Sequence, residues 1–214
     1  IFKKVLSSAL KVKNGQAAYE RDSVIFDEVQ YSWPVTAALM RVAAKNNGCL
    51  RVLDFGGSLG SSYFQNRKFL EDLSHCKWSV IDQPRIVEAG QNYFQSDELN
   101  FYKDIDECMN IEKPNVIIIS AVLQYLEDPW TILENLMSLD IESIILDRTP
   151  FLNKPTNDEI KIQITPPSIY SAIYPIRLFN KTNFFETVNL KGYKVEKEFK
   201  STDYLDPSAT WSGM

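Results

Sequence analysis

Within "RVLDFGGSLGSSYF", Arg51 to Phe64, a carboxylate at Asp54 is followed by glycines at 56, 57 and 60. With no Cβ at Gly56, Gly57 and Gly60, the backbone can turn sharply and press its amide N–H groups against a ligand. That chemistry is a cradle for a nucleotide, built from main-chain donors at the start of a helix. A dinucleotide fingerprint laid on Gly56 needs further glycines where Ser58 and Ser61 stand, and it lacks a defining acid at the strand end. The turn instead reads as acid, any, Gly, any, small, any, Gly, with Ser58 in the small position.

Further residues with chemical potential follow at regular intervals. Asp82 closes "KWSVID" ahead of Gln83 and Pro84, where an acid can accept hydrogen bonds from both hydroxyls of a ribose. Asp104 follows "LNFYK", placed to meet an adenine amino group. Ser120 and Ala121 end the run "PNVIIIS" and lead to Gln124 and Tyr125 in "AVLQYLEDP". Asp147 and Arg148 close "IESIILD": the carboxylate can take a proton, and the guanidinium can bind an acidic group or neutralise its neighbour. Tyr170 and Tyr174 can stack on a sugar face and hydrogen-bond its hydroxyls. His75, the single histidine, precedes a strand at the opposite end of the sheet and reads as structural. Cys49, Cys76 and Cys108 have no Cys-x-x-Cys spacing, so neither a disulfide framework nor a zinc site is indicated, and no metal is expected.

The 214 residues, 44% of them hydrophobic, suit one domain able to bury a full core. Lysine and arginine total 23 against 28 acids, and the net charge of -5 disfavours nucleic-acid phosphate as a main partner. No apolar run approaches the roughly 20 residues that span a bilayer, and "IFKKVLSSALKVKNGQ" lacks the layout of a signal peptide. A cytoplasmic location is expected. The opening Ile1 and the end at "TWSGM" suggest a trimmed chain.

These residues need a frame, and the alternation of β-rich and amphipathic runs predicts an α/β fold with a parallel sheet covered on both faces. Ser32 and Pro34 open a helix that stops at Gly48. "CLRVLDF", "KWSVID", "LNFYKD", "PNVIIIS" and "IESIILD" read as strands. "SSYFQNRKFLEDL", "PRIVEAGQNYF" and the Asp128-capped "DPWTILENLMSL" read as helices between them. A Pro-rich, aromatic insertion runs from Arg148 to Asn180, then a helix capped by Thr182 and a last strand "YKVEKEF". The alternating Ile160, Ile162 and Ile164 predict an added strand, and an edge along which two copies could pair.

The order of residues from Asp54 to Gly60 resembles motif I of the class I S-adenosylmethionine-dependent methyltransferases, with Ser58 in place of the usual middle glycine. "SAVLQYLEDP" is similar to a segment common in small-molecule methyltransferases, with Gln124 and Tyr125 where many relatives carry histidines. With "VIDQP", "ILDRTPF" and "IYSAIYP", these segments resemble a methyltransferase family often associated with bacterial surface-polysaccharide gene clusters. The resemblance implies a Rossmann-like three-layer sandwich with a mostly parallel seven-stranded sheet ordered 3-2-1-4-5-7-6, and an S-adenosyl-L-methionine cofactor. It implies one domain over 1–214, with an N-terminal helical segment (1–48), a cofactor-binding core (49–147), a substrate-side insertion (148–180) and a C-terminal helix and strands (181–214).

On that basis Asp54, Gly56, Gly57, Ser58, Gly60, Asp82, Gln83, Asp104, Ser120 and Ala121 are expected to hold the cofactor. Asp147 and Tyr125 are the expected catalytic groups, and Gln124, Arg148, Tyr170 and Tyr174 the expected contacts to a small polar acceptor such as a sugar or glycan precursor. Two other readings stay open: an S-adenosyl-binding module without turnover, favoured by Ser58 and the missing histidines, and a nicotinamide-dependent oxidoreductase.

Overall fold

The computed structural model describes residues 1–152, 157–167, 169–201 and 209–213. The chain opens with helix α1 (Phe2–Lys13), strands β1 (Tyr19–Arg21) and β2 (Val24–Phe26), and helix α2 (Trp33–Lys45). Strands and helices then alternate: β3 (Cys49–Phe55), α3 (Ser61–Leu70), β4 (His75–Ile81), α4 (Pro84–Tyr93), β5 (Leu99–Tyr102) and α5 (Ile105–Glu112). They continue through β6 (Val116–Ser120), a 3₁₀ turn (Leu123–Tyr125), α6 (Pro129–Met137) and β7 (Ser143–Asp147). Last come β8 (Thr149–Leu152), β9 (Glu159–Thr165), β10 (Ala172–Asn180), α7 (Lys181–Leu190), β11 (Phe199–Lys200) and β12 (Ala209–Gly213).

β5, β4, β3, β6 and β7 form a sheet in that spatial order, every neighbouring pair parallel. Such strands must be apolar on both sides. On β6 the side chains of Val116 and Ile118 pack with Leu39, Leu70, Val87 and Trp78 on one face. Those of Ile117 and Ile119 pack with Leu133, Leu136, Phe179 and Phe184 on the other. Successive residues of a strand point to opposite faces, so one run of β-branched residues supplies both cores of a three-layer sandwich. The chain leaves β3 first toward β4 and β5 and later returns to its other side as β6, so the order reverses between β3 and β6. A crevice opens there at the carboxyl ends of the strands.

The expectation of one seven-stranded sheet is corrected. The parallel sheet has five strands, and its ladder stops at the Ser120–Asp147 pair. Arg148, the single residue between β7 and β8, sits at φ +52°. A left-handed residue breaks the pleat, and β8 continues into a second five-stranded sheet ordered β11-β12-β8-β10-β9. Much of the insertion is therefore regular strand. Phe151, Phe179, Phe184 and Trp130 pack there with ring centroids 5.1 to 6.4 Å apart, tying the second sheet to α6 and α7.

Other differences are local. The last helix is capped by Asn180, whose side chain accepts from the N–H of Asn183 at 2.9 Å, while Thr182 lies inside it, exposed. Of "YKVEKEF", only Phe199 is in a strand, paired with β12. Helix α5, over "IDECMNIE", was not among the predicted elements.

Candidate functional site

The turn after β3 is tightly packed around Gly56 and Gly57. A Cβ on Gly57 would lie 2.5 Å from Cγ of Asp54, and one on Gly56, at φ +73°, would lie 2.5 Å from a methyl of Val122. Asp54 lies beneath, 1% exposed, its Oδ2 accepting the indole N–H of Trp78 at 2.9 Å. Burial lifts its carboxyl to about 7, against the pull of the Trp78 hydrogen bond. Gly60 caps α3 at φ +86°. Ser58 adopts φ +53°, a conformation that favours glycine, and its N–H donates to Oδ2 of Asp82 at 3.0 Å. Oδ1 of Asp82 accepts the N–H of Gln83 at 2.6 Å, while burial raises the carboxyl above its ordinary range. The first strand end and the second are thus joined through one carboxylate.

In front of the turn lies a cavity of about 420 Å³, within the range of small-molecule sites. From the expected cofactor set, Asp54, Gly56, Gly57, Ser58, Ser120 and Ala121 line it, and from the expected acceptor side Asp147, Arg148 and Tyr170. Asp147 is 8% exposed, and its Oδ2 accepts the Ser120 hydroxyl at 2.9 Å. Nε of Arg148 donates to the same hydroxyl at 3.3 Å and lies 3.9 Å from Oδ2 of Asp147, while its Nη1 is 3.6 Å from Asp22. Ala121 (φ +56°) and Arg148 (φ +52°) leave their strands in left-handed conformations, and Ala121 N–H donates to the Asp147 carbonyl at 3.0 Å. Such backbone strain gathers where neighbouring structure over-determines it, as at ligand sites.

The remaining expected residues lie elsewhere. Gly60, Asp82 and Gln83 sit beside the turn without lining the cavity. The Oδ1 atom of Asp104 caps α5, accepting from Asp106 N–H at 2.7 Å and Glu107 N–H at 3.2 Å, so its carboxylate serves the helix that follows. Gln124 is 1% exposed and donates to the Arg148 carbonyl at 3.1 Å, which supports the strained residue from below. Tyr125 does not line the cavity: its hydroxyl donates to Gln163 at 3.0 Å, and its ring meets Tyr174 edge-on at 5.3 Å. Tyr174 shares a 2.8 Å hydrogen bond with Thr165. Tyr125 and Tyr174 therefore clamp the β9–β10 hairpin to the 3₁₀ turn.

The wall opposite the turn was not anticipated. Tyr19, Glu20, Asp22 and Ser23, from the β1–β2 hairpin, line the cavity together with Tyr31 and Trp33. Asp22 (φ +52°) and Ser23 (φ +69°) make a two-residue turn of the kind that matches strand twist. The Ser8 hydroxyl of α1 holds it, donating to the Ser23 carbonyl at 3.0 Å. The available signal was the symmetry of "YERDSVIF" about Asp22–Ser23, with Tyr19 and Phe26 paired across the hairpin, ring centroids 5.8 Å apart.

Among the described residues no cluster of His, Cys, Asp and Glu is arranged to hold a metal ion, and no helix is long and apolar enough to cross a membrane. Cys49, Cys76 and Cys108 are free thiols, and His75 is exposed at the start of β4.

This Rossmann-like three-layer sandwich, with a glycine turn at the reversal of strand order, is shared by solved methyltransferase structures. The N-terminal domain of EvdMO1, solved in the presence of SAH and D-fucose, matches with a TM-score of 0.54 at 11% identity, over 91% of this chain and 88% of that one. Magnesium protoporphyrin IX methyltransferase from Synechocystis PCC 6803, with bound SAM, matches with a TM-score of 0.53 at 14% identity, over 98% and 95%. The 1,6-didemethyltoxoflavin-N1-methyltransferase of Burkholderia thailandensis matches with a TM-score of 0.51 at 10% identity, over 97% and 87%. No family model matches the sequence, and no curated protein matches it.

Proposed function

We propose that this chain is an S-adenosylmethionine-dependent methyltransferase acting on a small polar acceptor such as a sugar or glycan precursor. The observation that carries the proposal is the joined turn: Gly56, Gly57 and Ser58 line a 420 Å³ cavity, and the Ser58 N–H donates to the Asp82 carboxylate beside it at 3.0 Å. Those residues fit an S-adenosyl group. Asp54, Gly56, Gly57 and Ser58 would hold its sulfur-bearing end, and Asp82 its ribose, exchanging main-chain partners for hydroxyls.

When bound, the cofactor supplies a sulfonium methyl that is already reactive toward a nucleophile. The protein's part is to align an acceptor, exclude water and take a proton. Asp147 is the proposed base. Ser120 orients it by donating to Oδ2 at 2.9 Å, and the Arg148 guanidinium stands beside it, Nε 3.9 Å from Oδ2. Tyr170, on the cavity wall, offers an aromatic face to the acceptor. The D-fucose present with one structural neighbour, and the resemblance to a family associated with polysaccharide gene clusters, support a sugar acceptor. Two copies pairing along the exposed β9 edge is the accompanying expectation.

Calorimetry with S-adenosylhomocysteine tests the cofactor, and a screen of radiolabelled methyl transfer onto sugars, lipids, RNA and proteins tests the rest. Binding with label on sugars is expected. Binding without transfer to any acceptor identifies a non-catalytic module, and label on RNA or protein alone overturns the acceptor class.

A further inference from the structure

The β1–β2 hairpin brings into the cavity a carboxylate to which methyl transfer assigns no task. Glu20 is 4% exposed and accepts from the Ser61 hydroxyl and, at 3.3 Å, from the Ser23 N–H. Both donors are neutral. Burial raises its carboxyl above the usual range, the two hydrogen bonds oppose that, and Arg148 favours the charged form more weakly than either. A buried carboxylate is costly until a cation reaches it. Next to it Ser23, also 4% exposed, lines the same cavity with a hydroxyl that has no hydrogen-bond partner among the described residues.

The other side of this corner has the opposite polarity. Ser61 is the first residue of α3, a ten-residue helix whose N-terminus, with Ser61 and Ser62, faces the cavity. The first N–H groups of a helix have no partners within it and favour an anion. A carboxylate and an anion-favouring helix end thus adjoin through the Glu20–Ser61 hydrogen bond. An α-amino-acid zwitterion has the complementary pair of charges.

We propose that Glu20 and Ser23 receive the ammonium group at the amino-acid end of the S-adenosyl cofactor, with its carboxylate at the start of α3. The hairpin, which lies outside the parallel sheet, then completes the cofactor site. This rests on the cofactor reading given above.

The test is calorimetry on the full chain with two probes: S-adenosylhomocysteine, and 5′-methylthioadenosine, which keeps the nucleoside and sulfur but lacks the amino-acid tail. Glu20→Gln should weaken S-adenosylhomocysteine about 10- to 100-fold, as loss of a hydrogen bond to a charged group does, and change methylthioadenosine by less than about threefold. Ser23→Ala should weaken S-adenosylhomocysteine about 2- to 10-fold with the same selectivity. It carries the test if Glu20→Gln does not fold. Unchanged S-adenosylhomocysteine affinity, or equal losses for both probes, overturns the assignment. If the unaltered chain binds neither probe, the cofactor reading itself falls, and this assignment with it.

Discussion

The indole N–H of Trp78 donates to Oδ2 of Asp54 at 2.9 Å, and both side chains are sealed in the core, 0% and 1% exposed. One strand of the parallel sheet thus fixes the acid of its neighbour directly beneath Gly57, where a Cβ would collide with the carboxyl carbon. The acid is the floor of the turn.

This buried acid makes stability depend on pH. Its folded-state value, about 7, lies above the ordinary 3.8, so the folded chain holds the proton more tightly. Its contribution is full below about pH 4 and is lost as pH rises to about 7. Asp54→Asn, neutral throughout and still able to accept from Trp78, should melt with a flatter pH profile across that window and match or exceed the parent at pH 8. Superimposable profiles from calorimetric scans would rule this out.

Ser58 bears a left-handed backbone that costs an L-residue on the order of 1 to 2 kcal/mol, while glycine gains freedom in the unfolded chain worth about 0.5 to 1 kcal/mol. Ser58→Gly should therefore stabilise the protein by about 0.5 kcal/mol, a rise of about 1 to 2 °C in melting temperature. S-adenosylhomocysteine affinity should persist, since the donor to Asp82 is main-chain N–H. A lower melting temperature would show that the Ser58 side chain contributes contacts of its own.

Asp82→Ala removes the acceptor for Ser58 and Gln83 as well as for a ribose. Affinity for S-adenosylhomocysteine should fall by about 1 to 3 kcal/mol, the cost of leaving such groups unpaired. Titration giving the parent affinity would move the ribose elsewhere.

Asp147→Asn keeps an acceptor for Ser120 but cannot take a proton. Turnover on a hydroxyl acceptor should drop by about 10² to 10⁴, with S-adenosylhomocysteine binding intact. Retained turnover combined with a lower melting temperature would make Asp147 a structural partner of Arg148 alone.

Ile160, Ile162, Ile164 and Ile173 are 63 to 72% exposed on one face of the β9–β10 hairpin, and β9 is the edge of its sheet. Exposed apolar edges invite pairing. Sedimentation at micromolar concentration should show a dimer, and Ile162→Lys a monomer of unchanged fold; a monomeric parent would refute the pairing.

Local pattern made much of this legible. β3 spans the predicted "CLRVLDF", and helices begin at Ser61 and at Pro84 where the sequence places them, because apolar period, Pro and Gly act within a few residues. The Asp128 cap is likewise realised, its Oδ1 accepting from Thr131 N–H at 3.2 Å. The same locality explains why "IDECMNIE" was missed. Its helix packs Ile105, Cys108 and Met109 into the core with Asp104 turned back as a cap, a helical spacing confined to eight residues and so a weak local signal.

By itself the sequence determined the alternating strands and helices, the glycine turn after Asp54 and the acid ending the next strand, since each depends on covalently adjacent residues. Tertiary structure alone decided which of the expected side chains miss the cavity and which unexpected ones line it. Tyr125 and Tyr174 were drawn onto each other, the ladder broke at Arg148, and a hairpin about 35 residues upstream of the turn supplied Glu20 and Ser23. Those outcomes depend on contacts between segments far apart in the chain, where side-chain direction follows from packing and positive φ rather than from neighbouring residue types.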